Sequence, residues 1–141
     1  MIILDTNVIS QGVRPKPDPK VQAWMDAQRQ ETLFLCTPVL AELFYGVERL
    51  QAGARRTHLE HVLLRTEATF ADRVLTVDRA AALEYGKLVG QRDRAGRATS
   101  TMDGLIAAIA RVHRATLATR DTYGFNDLGI ELVNPFEFGT A

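Results

Sequence analysis

The sequence contains few of the residues on which disulfide-linked, zinc-binding or membrane proteins depend. Cys36 is its only cysteine, which excludes an internal disulfide and a cysteine-rich zinc site and agrees with a reducing compartment. The three histidines, His58, His61 and His113, do not have the spacing of zinc ligands. No apolar run approaches the roughly 20 residues that span a bilayer, and the first residues do not form a signal peptide. We therefore expect a cytoplasmic protein without a membrane segment.

The sequence also lacks an excess of charge of either sign. Lys plus Arg and Asp plus Glu number 17 each, so the formal net charge is zero, and total charge does not indicate a nucleic-acid partner. Arginines nevertheless cluster in the segments GQRDRAGRATS and RVHRATLATR. A solvated surface is the simpler interpretation of these clusters. The alternative is a weak contact with RNA through Arg92, Arg94, Arg97 and Arg120.

The length and the hydrophobic pattern indicate one α/β domain. A chain of 141 residues has the usual size of a single domain, and no internal repeat or low-complexity tract divides it. Short apolar runs alternate with longer stretches of helical period, which is the pattern of a parallel sheet covered by helices. We predict a single domain over residues 1–141, folded as a three-layer α/β/α sandwich with a central, mainly parallel five-stranded sheet.

Capping residues predict where several helices begin and end. Thr37, followed by a proline, and Asp78 each precede a stretch of helical period and are predicted N-caps. Gly53 is predicted to end the helix that begins after Thr37. Ser100 or Thr101 is expected to cap the most apolar helix, which contains the segment LIAAIA.

Four acids are expected at the edge of the sheet where strand ends meet helix starts, which is where ligands bind in such folds. Asp5 ends the first strand, and Asp121 follows the apolar run ATLAT. Asp103 stands in the first turn of the apolar helix, and Glu42 borders the buried face of an earlier helix. Taken singly, the last three are ordinary turn, helix-start and surface acids. Together they would repel one another, and a bound divalent cation is the simplest compensation.

The donor types indicate which metal and which chemistry this cluster suits. Carboxylate oxygens are ligands that Mg²⁺ and Mn²⁺ prefer, with water and substrate phosphate completing the coordination shell. Such ions support phosphodiester cleavage, so the sequence predicts a metal-dependent nuclease. Thr6, Asn7 and Thr119 lie beside the acids in sequence and offer hydroxyl and amide groups that would orient the carboxylates.

Four segments occur in an order and spacing that resembles the PIN-domain family, specifically the VapC-type toxins of bacterial toxin–antitoxin pairs. These segments are MIILDTNVIS, TPVLAELFYGVERL, ATSTMDGLIAAIARVHRATLATRDTYGF and ELVNPF, and the resemblance covers essentially the whole chain. It implies an endoribonuclease dependent on Mg²⁺ or Mn²⁺, with RNA as substrate, a small antitoxin as inhibitor and a homodimer as the usual assembly. The family's acidic positions fall on Asp5, Glu42, Asp103 and Asp121, and its neighbouring polar positions fall on Thr6, Asn7 and Thr119.

The sequence departs from this family pattern near the fourth acid. Many relatives read TRN followed by an acid before the phenylalanine, whereas here Asp121 takes the asparagine position and Gly124 precedes Phe125. The resemblance therefore leaves open whether Asp121 serves a second metal alone or whether Asn126 and Asp127 contribute.

Two other functions are compatible with parts of the sequence. The first is a PIN-like module that binds RNA or a partner without cutting, although an idle cluster of four acids would bring repulsion without benefit. The second is a phosphatase of the haloacid-dehalogenase type with Asp5 as nucleophile. Such enzymes need a second acid two residues later, and here that position is Asn7, so the general acid is missing.

Overall fold

The computed structural model describes residues 1–140, and these contain five strands and six α-helices, with two helices after each of the first three strands. The first half comprises β1 (Ile2–Leu4), α1 (Thr6–Ile9), α2 (Pro19–Ala27), β2 (Leu33–Cys36), α3 (Thr37–Glu48) and α4 (Ala54–Thr69). The second half comprises β3 (Val74–Leu75), α5 (Arg79–Arg94), α6 (Thr101–Val112), β4 (Thr116–Ala118) and β5 (Glu131–Val133). Short 3-10 helices cover Ser10–Val13, Gln30–Thr32 and Pro135–Glu137.

The strands form one sheet in the order β3-β2-β1-β4-β5, and every pairing is parallel. The central strand β1 places Ile3 opposite Phe34 on one side and Leu117 on the other. Strand order reverses around β1, because the chain builds outward through β2 and β3 and later returns to add β4 and β5. The carboxyl ends of β1 and β4 therefore flank a switch point, where parallel sheets bind their ligands.

Alternating residues of the strands supply two hydrophobic cores, one on each face of the sheet. Ile3, Cys36 and Leu117 pack against the buried residues of α3, α4, α5 and α6. Leu4 and Leu35 face the opposite core, which contains residues of α1 and α2. The predicted three-layer sandwich with a five-stranded parallel sheet is confirmed.

Burial also accounts for the single cysteine. Cys36 is inaccessible to solvent in the first core, and burial raises the pKa of its thiol to about 12, assisted by the charges of Asp5 and Glu42. Its thiolate is therefore negligible at neutral pH, as expected for a packing residue.

Two of the predicted helix boundaries are correct and two are wrong. Asp78 caps α5 by accepting the Ala81 N–H at 2.9 Å, and Ser100 caps α6. Thr37 is not an N-cap, because it is already the first helical residue of α3. Its hydroxyl accepts the N–H of Val77, which lies two residues after β3, at 3.3 Å. Gly53 does not end α3, which stops at Glu48, but instead precedes α4 in an extended conformation.

The length and hydrophobicity of the helices can be compared with what a membrane-spanning segment requires. Within residues 1–140, no helix is long and apolar enough to span a bilayer.

Candidate active site

Asp5 is the buried centre of the candidate site. Asp5 directly follows β1, and its backbone N–H extends the pairing of β1 with β4 by donating to Ala118 O at 2.9 Å. The side chain is only 5% exposed. Oδ1 accepts the Thr6 N–H at 2.8 Å, and Oδ2 accepts the Thr119 hydroxyl at 2.7 Å and the Asn7 amide at 3.4 Å. Both carboxylate oxygens are thus held in place by the protein.

The pKa of the Asp5 carboxyl reflects burial and neighbouring charge. Burial is the largest influence and raises the pKa to about 6, against hydrogen bonds from Thr119 and Thr6 that lower it. The charges of Asp103 and Glu42 make smaller contributions to this raised pKa, in the same direction as burial. An ionisable group perturbed by both burial and like charges is typical of functional sites.

Thr119 connects two of the predicted acids. It directly follows β4, is completely buried, and has three polar contacts at its hydroxyl. The hydroxyl donates to Asp5 Oδ2, accepts the Asp121 N–H at 3.0 Å and lies 3.5 Å from the amide nitrogen of Asn7. The Asn7 Oδ1 in turn accepts the Arg120 N–H at 3.1 Å. The ends of β1 and β4 are therefore joined by side-chain hydrogen bonds as well as by the sheet.

Glu42 reaches the same edge from α3. It is half-buried on that helix, and its Oε1 accepts the Thr6 hydroxyl at 2.8 Å. Thr6 therefore contacts two acids, giving its N–H to Asp5 and its hydroxyl to Glu42. The structure thus places Thr6, Asn7 and Thr119 as hydrogen-bond partners of the predicted acids.

Asp103 and Asp121 complete the set. Asp103 lies in the first turn of α6, where its N–H donates to the Ser100 hydroxyl at 3.2 Å. Burial raises the pKa of the Asp103 carboxyl, a hydrogen bond with Ser100 lowers it, the charge of Asp121 raises it, and the Arg92 guanidinium lowers it. Asp5 is coupled to Asp103 and Glu42, so the four acids belong to one electrostatic cluster.

Asp121 is exposed, yet its carboxylate is fixed by a tight turn. Its Oδ1 accepts the Gly124 N–H at 2.8 Å. A Cβ atom at position 124 would lie 2.1 Å from Asp121 Oδ2, so a side chain there would displace the carboxylate. The glycine therefore leaves room for the observed position of the Asp121 carboxylate.

The donor set fits a hard divalent cation. Among residues 1–140, no three Asp, Glu, His or Cys side chains converge closely enough to enclose an ion by themselves. Mg²⁺ commonly binds through one or two carboxylates and keeps several waters, so a full protein cage is not required. Asp5 and Asp103, with Glu42 and Asp121 nearby in the cluster, are the residues that could hold such an ion.

The predicted RNA-binding arginines differ in their surroundings. Arg94 and Arg120 are exposed. Arg92 is buried, with its guanidinium donating to backbone carbonyls, so it is not available to RNA in this structure. Arg97 is partly buried and donates to the Tyr123 carbonyl while its guanidinium stacks 4.7 Å from the centre of the Tyr123 ring.

Asn126 and Asp127, the alternative contributors to a second metal position, are engaged elsewhere. Arg97 donates to Asn126 Oδ1 and lies 3.4 Å from Asp127 Oδ2. In the described structure these oxygens face a cation of the protein rather than the acidic cluster.

Sequence reasoning missed the roles of Arg92 and Gly124 beside the acids. The glycine was visible as a departure from the family pattern, but its close approach to Asp121 depends on the fold of the turn. Nothing in the sequence distinguishes Arg92 from Arg94, because burial of one and exposure of the other depend on how α5 packs.

Comparisons with known proteins agree with one another. The model of the PIN-domain family matches residues 2–131. The chain is 42% identical over 138 residues to the VapC ribonuclease Y4jK of Sinorhizobium fredii, covering 97% of this chain and 99% of that protein. It is 37% identical over 137 residues to the toxin FitB of Neisseria gonorrhoeae, covering 96% and 99%. The crystal structure of FitAcB from Neisseria gonorrhoeae superposes with a TM-score of 0.91 at 37% identity, covering 98% of this chain and 100% of that one.

Proposed function

Because this chain belongs to the PIN-domain family, we propose that it is an endoribonuclease dependent on Mg²⁺ or Mn²⁺ and acts as the toxin of a toxin–antitoxin pair. The observation that carries this proposal is the acidic cluster at the switch point of the sheet. Asp5, Glu42, Asp103 and Asp121 come from four different parts of the chain. The charges of Asp103 and Glu42 raise the pKa of Asp5, and the charge of Asp121 raises the pKa of Asp103.

The residues of the chain would prepare this cluster for a cation. Thr6 and Thr119 hold both oxygens of Asp5 and also contact Glu42 and the Asp121 backbone. Fixed carboxylates lose little conformational entropy when they bind, so the site is preorganised. Burial, and to a smaller extent the charges of Asp103 and Glu42, raise the pKa of Asp5, and a bound cation would offset both effects.

An ion held by these carboxylates would supply a nucleophile from water at neutral pH and neutralise the charge that develops at the phosphate. Asp5 and Asp103 are the central candidates as its ligands, with Glu42 and Asp121 at either side. Because a ligating carboxylate must be ionised, affinity for the ion should fall as pH drops through about 6, where Asp5 takes up its proton.

RNA would contact exposed groups around this edge. Arg120 directly precedes Asp121, and its guanidinium lies 3.8 Å from the Phe136 ring. Tyr123 is 77% exposed, and Arg97 covers its ring. A highly exposed aromatic ring with an arginine over one face can offer its other face to a single-stranded base, and arginines contact phosphate. Arg94 is a further exposed candidate from the predicted set.

The family resemblance and the similarity to the toxin FitB also support a protein partner. We include in the proposal a small antitoxin that holds the chain inactive and a homodimer as its assembly. Size-exclusion chromatography with light scattering tests the dimer, and co-expression with the product of a neighbouring short reading frame tests the antitoxin.

Cleavage of total cellular RNA by the purified chain, with mapping of the new ends, tests the activity. We expect discrete new ends with Mg²⁺ or Mn²⁺ and none in EDTA. Asp103→Asn should abolish them, whereas Asp93→Asn, a change to an exposed acid of α5 outside the cluster, should not. Titration calorimetry of Mn²⁺ against the parent and both variants measures ion binding without RNA.

Each of the alternative functions gives a different result. Ion-independent RNA binding without any new ends would favour the non-cutting module. A phosphorylated Asp5 trapped with a phosphate monoester would favour the phosphatase. Cleavage that survives Asp103→Asn would refute the proposed site.

A further inference from the structure

Arg92 is a buried cation without an acidic partner. It lies on α5 and is 6% exposed. Its Nη1 donates to Gly124 O at 2.7 Å and lies 3.4 Å from the Thr99 hydroxyl, and its Nη2 donates to Asn126 O. None of the ion pairs formed within residues 1–140 involves Arg92. Its Nε is buried without a hydrogen-bond partner in that range.

Such an arrangement is costly for stability alone. Burying a charge is unfavourable unless it is paired, and an apolar side chain could fill the same space at lower cost. Burial and the charge of Arg97 lower the pKa of the Arg92 guanidinium, and the charges of Asp127, Asp103 and Asp121 act through space in the opposite direction. The guanidinium lowers the pKa of Asp103 against the effects of burial and of Asp121. Arg92 is therefore coupled to the candidate site.

Arg92 is also joined to Asp121 by hydrogen bonds. It holds the carbonyl of Gly124, whose N–H is bonded to Asp121 Oδ1. The Asp121 N–H continues the connection to Thr119, which holds Asp5. An exposed aspartate would otherwise rotate freely, so the turn and the arginine behind it restrict where the fourth carboxylate can lie.

The turn itself needs this support. Asp127 has a left-handed backbone with φ of 61°, which costs energy for a residue other than glycine. Arg97 donates to Asn126 and Tyr123 from the outer side of the same turn. The two arginines thus hold a strained segment between α5 and the acidic cluster.

We propose that Arg92 is a positioning residue for the reaction: it holds the turn of residues 121–127 so that Asp121 stays fixed at the acidic cluster. This inference rests on the proposed function and deepens it.

The test compares Arg92→Gln and Arg92→Lys with a matched control, Arg73→Gln. Arg73 is likewise a mostly buried arginine that donates to backbone carbonyls, of Leu33 and Thr69, but it lies behind β2 and β3. We expect Arg92→Gln to weaken Mn²⁺ binding or to lower kcat by about tenfold to a hundredfold, as loss of a residue that orients metal ligands does. The KM for RNA should change little, and Arg92→Lys should recover part of the loss. Arg73→Gln should lower Tm but leave Mn²⁺ affinity and kcat within about twofold.

A second readout is independent of metal and RNA. Chymotrypsin can cut after Tyr123, and in EDTA the parent should be protected there because the turn is held. Arg92→Gln should be cut faster after Tyr123 by about tenfold at a temperature where it remains folded, since local opening controls such cleavage. Arg73→Gln should not.

The outcomes separate the two proposals. If the parent neither binds Mn²⁺ nor cuts RNA while Arg92→Gln still opens the turn, the proposed function fails and the holding role stands. Mn²⁺ affinity and kcat of Arg92→Gln within about twofold of an active parent would overturn the inference. If Arg92→Gln does not fold, Arg92→Lys alone decides, because lysine lacks the forked contact of the guanidinium. A folded Arg92→Lys variant with parental Mn²⁺ affinity, kcat and protease resistance would also overturn the inference.

Discussion

Replacing Asp5 by asparagine removes the most buried charge of the acidic cluster and keeps its shape. We expect Asp5→Asn to be more stable than the parent in EDTA at pH 8, although it should be inactive. The amide keeps an oxygen for the Thr6 N–H but places NH₂ where Oδ2 accepted the Thr119 hydroxyl. The gain comes from removing a charge that the folded, metal-free protein holds at a cost.

The size of the effect follows from the raised pKa. A pKa raised from 3.8 to about 6 corresponds to about 3 kcal/mol of unfavourable free energy once the carboxyl is ionised. Because the pKa is higher in the folded state, Asp5 favours folding fully below about pH 4 and loses this contribution as pH rises through about 6. Losing the Thr119 hydrogen bond costs about 1 kcal/mol. The net gain at pH 8 is then about 1–2 kcal/mol, or about 4–8 °C in Tm.

Thermal unfolding in EDTA at pH 4 and pH 8, repeated with Mn²⁺ at pH 8, measures this. At pH 4 the variant should have lost its advantage, because the parent carboxyl is then mostly protonated. Mn²⁺ should raise the Tm of the parent and have much less effect on the variant. Asp78→Asn is the matched control: Asp78 caps α5 through a backbone N–H, and asparagine caps nearly as well, so its Tm should differ little from the parent at either pH.

The reasoning would be refuted if Asp5→Asn had a lower Tm than the parent at pH 8 and the difference in Tm were the same at pH 4. That result would mean that ionised Asp5 is not under strain in the folded protein. An equal rise of Tm with Mn²⁺ in parent and variant would remove Asp5 from the ion site.

Two further predictions concern the turn. Gly124→Ala should reduce RNA cleavage by about tenfold or more, because the new Cβ would meet Asp121 Oδ2 at 2.1 Å and displace a group that orients or binds the ion. The control Gly86→Ala, in open space on α5, should keep full activity. Equal cleavage rates for both variants would contradict the argument. Tyr123→Ala should weaken binding of a single-stranded oligoribonucleotide in EDTA, measured by fluorescence anisotropy, by about tenfold through loss of one base stack. Tyr45→Ala, which removes a tyrosine 67% exposed on α3, should bind as the parent does, and parental affinity in both variants would remove Tyr123 from the RNA surface.

Much of the architecture could be predicted from the sequence because it depends on local signals. Short apolar runs between helical stretches predicted the five-stranded parallel sheet, and the cap at Asp78 predicted the start of α5. The boundary at Gly53 was wrong because α3 ends at Glu48 without needing a glycine. Thr37 was assigned as a cap from its type and its proline neighbour, whereas its hydroxyl bonds to the chain after β3, 40 positions away.

The candidate acids could be proposed from the sequence for a similar reason. Strand ends and helix starts meet at one edge in a parallel sheet, so residues at those positions are expected together before any coordinates exist. By contrast, the hydrogen bond from Thr119 to Asp5 joins residues 114 positions apart. That bond depends on the pairing of β1 with β4.

The amino-acid sequence by itself determined the alternation of strands and helices, the caps that start α5 and α6, and the presence of acids at strand ends, because periodicity and capping act over a few residues. Only the tertiary structure decided that Arg92 is buried while Arg94 is exposed, that Asp121 turns back onto Gly124, and that Thr119 joins two acids. These features depend on which distant groups become neighbours when α5 and the sheet pack, and desolvation and hydrogen-bond geometry then set the charge of each group.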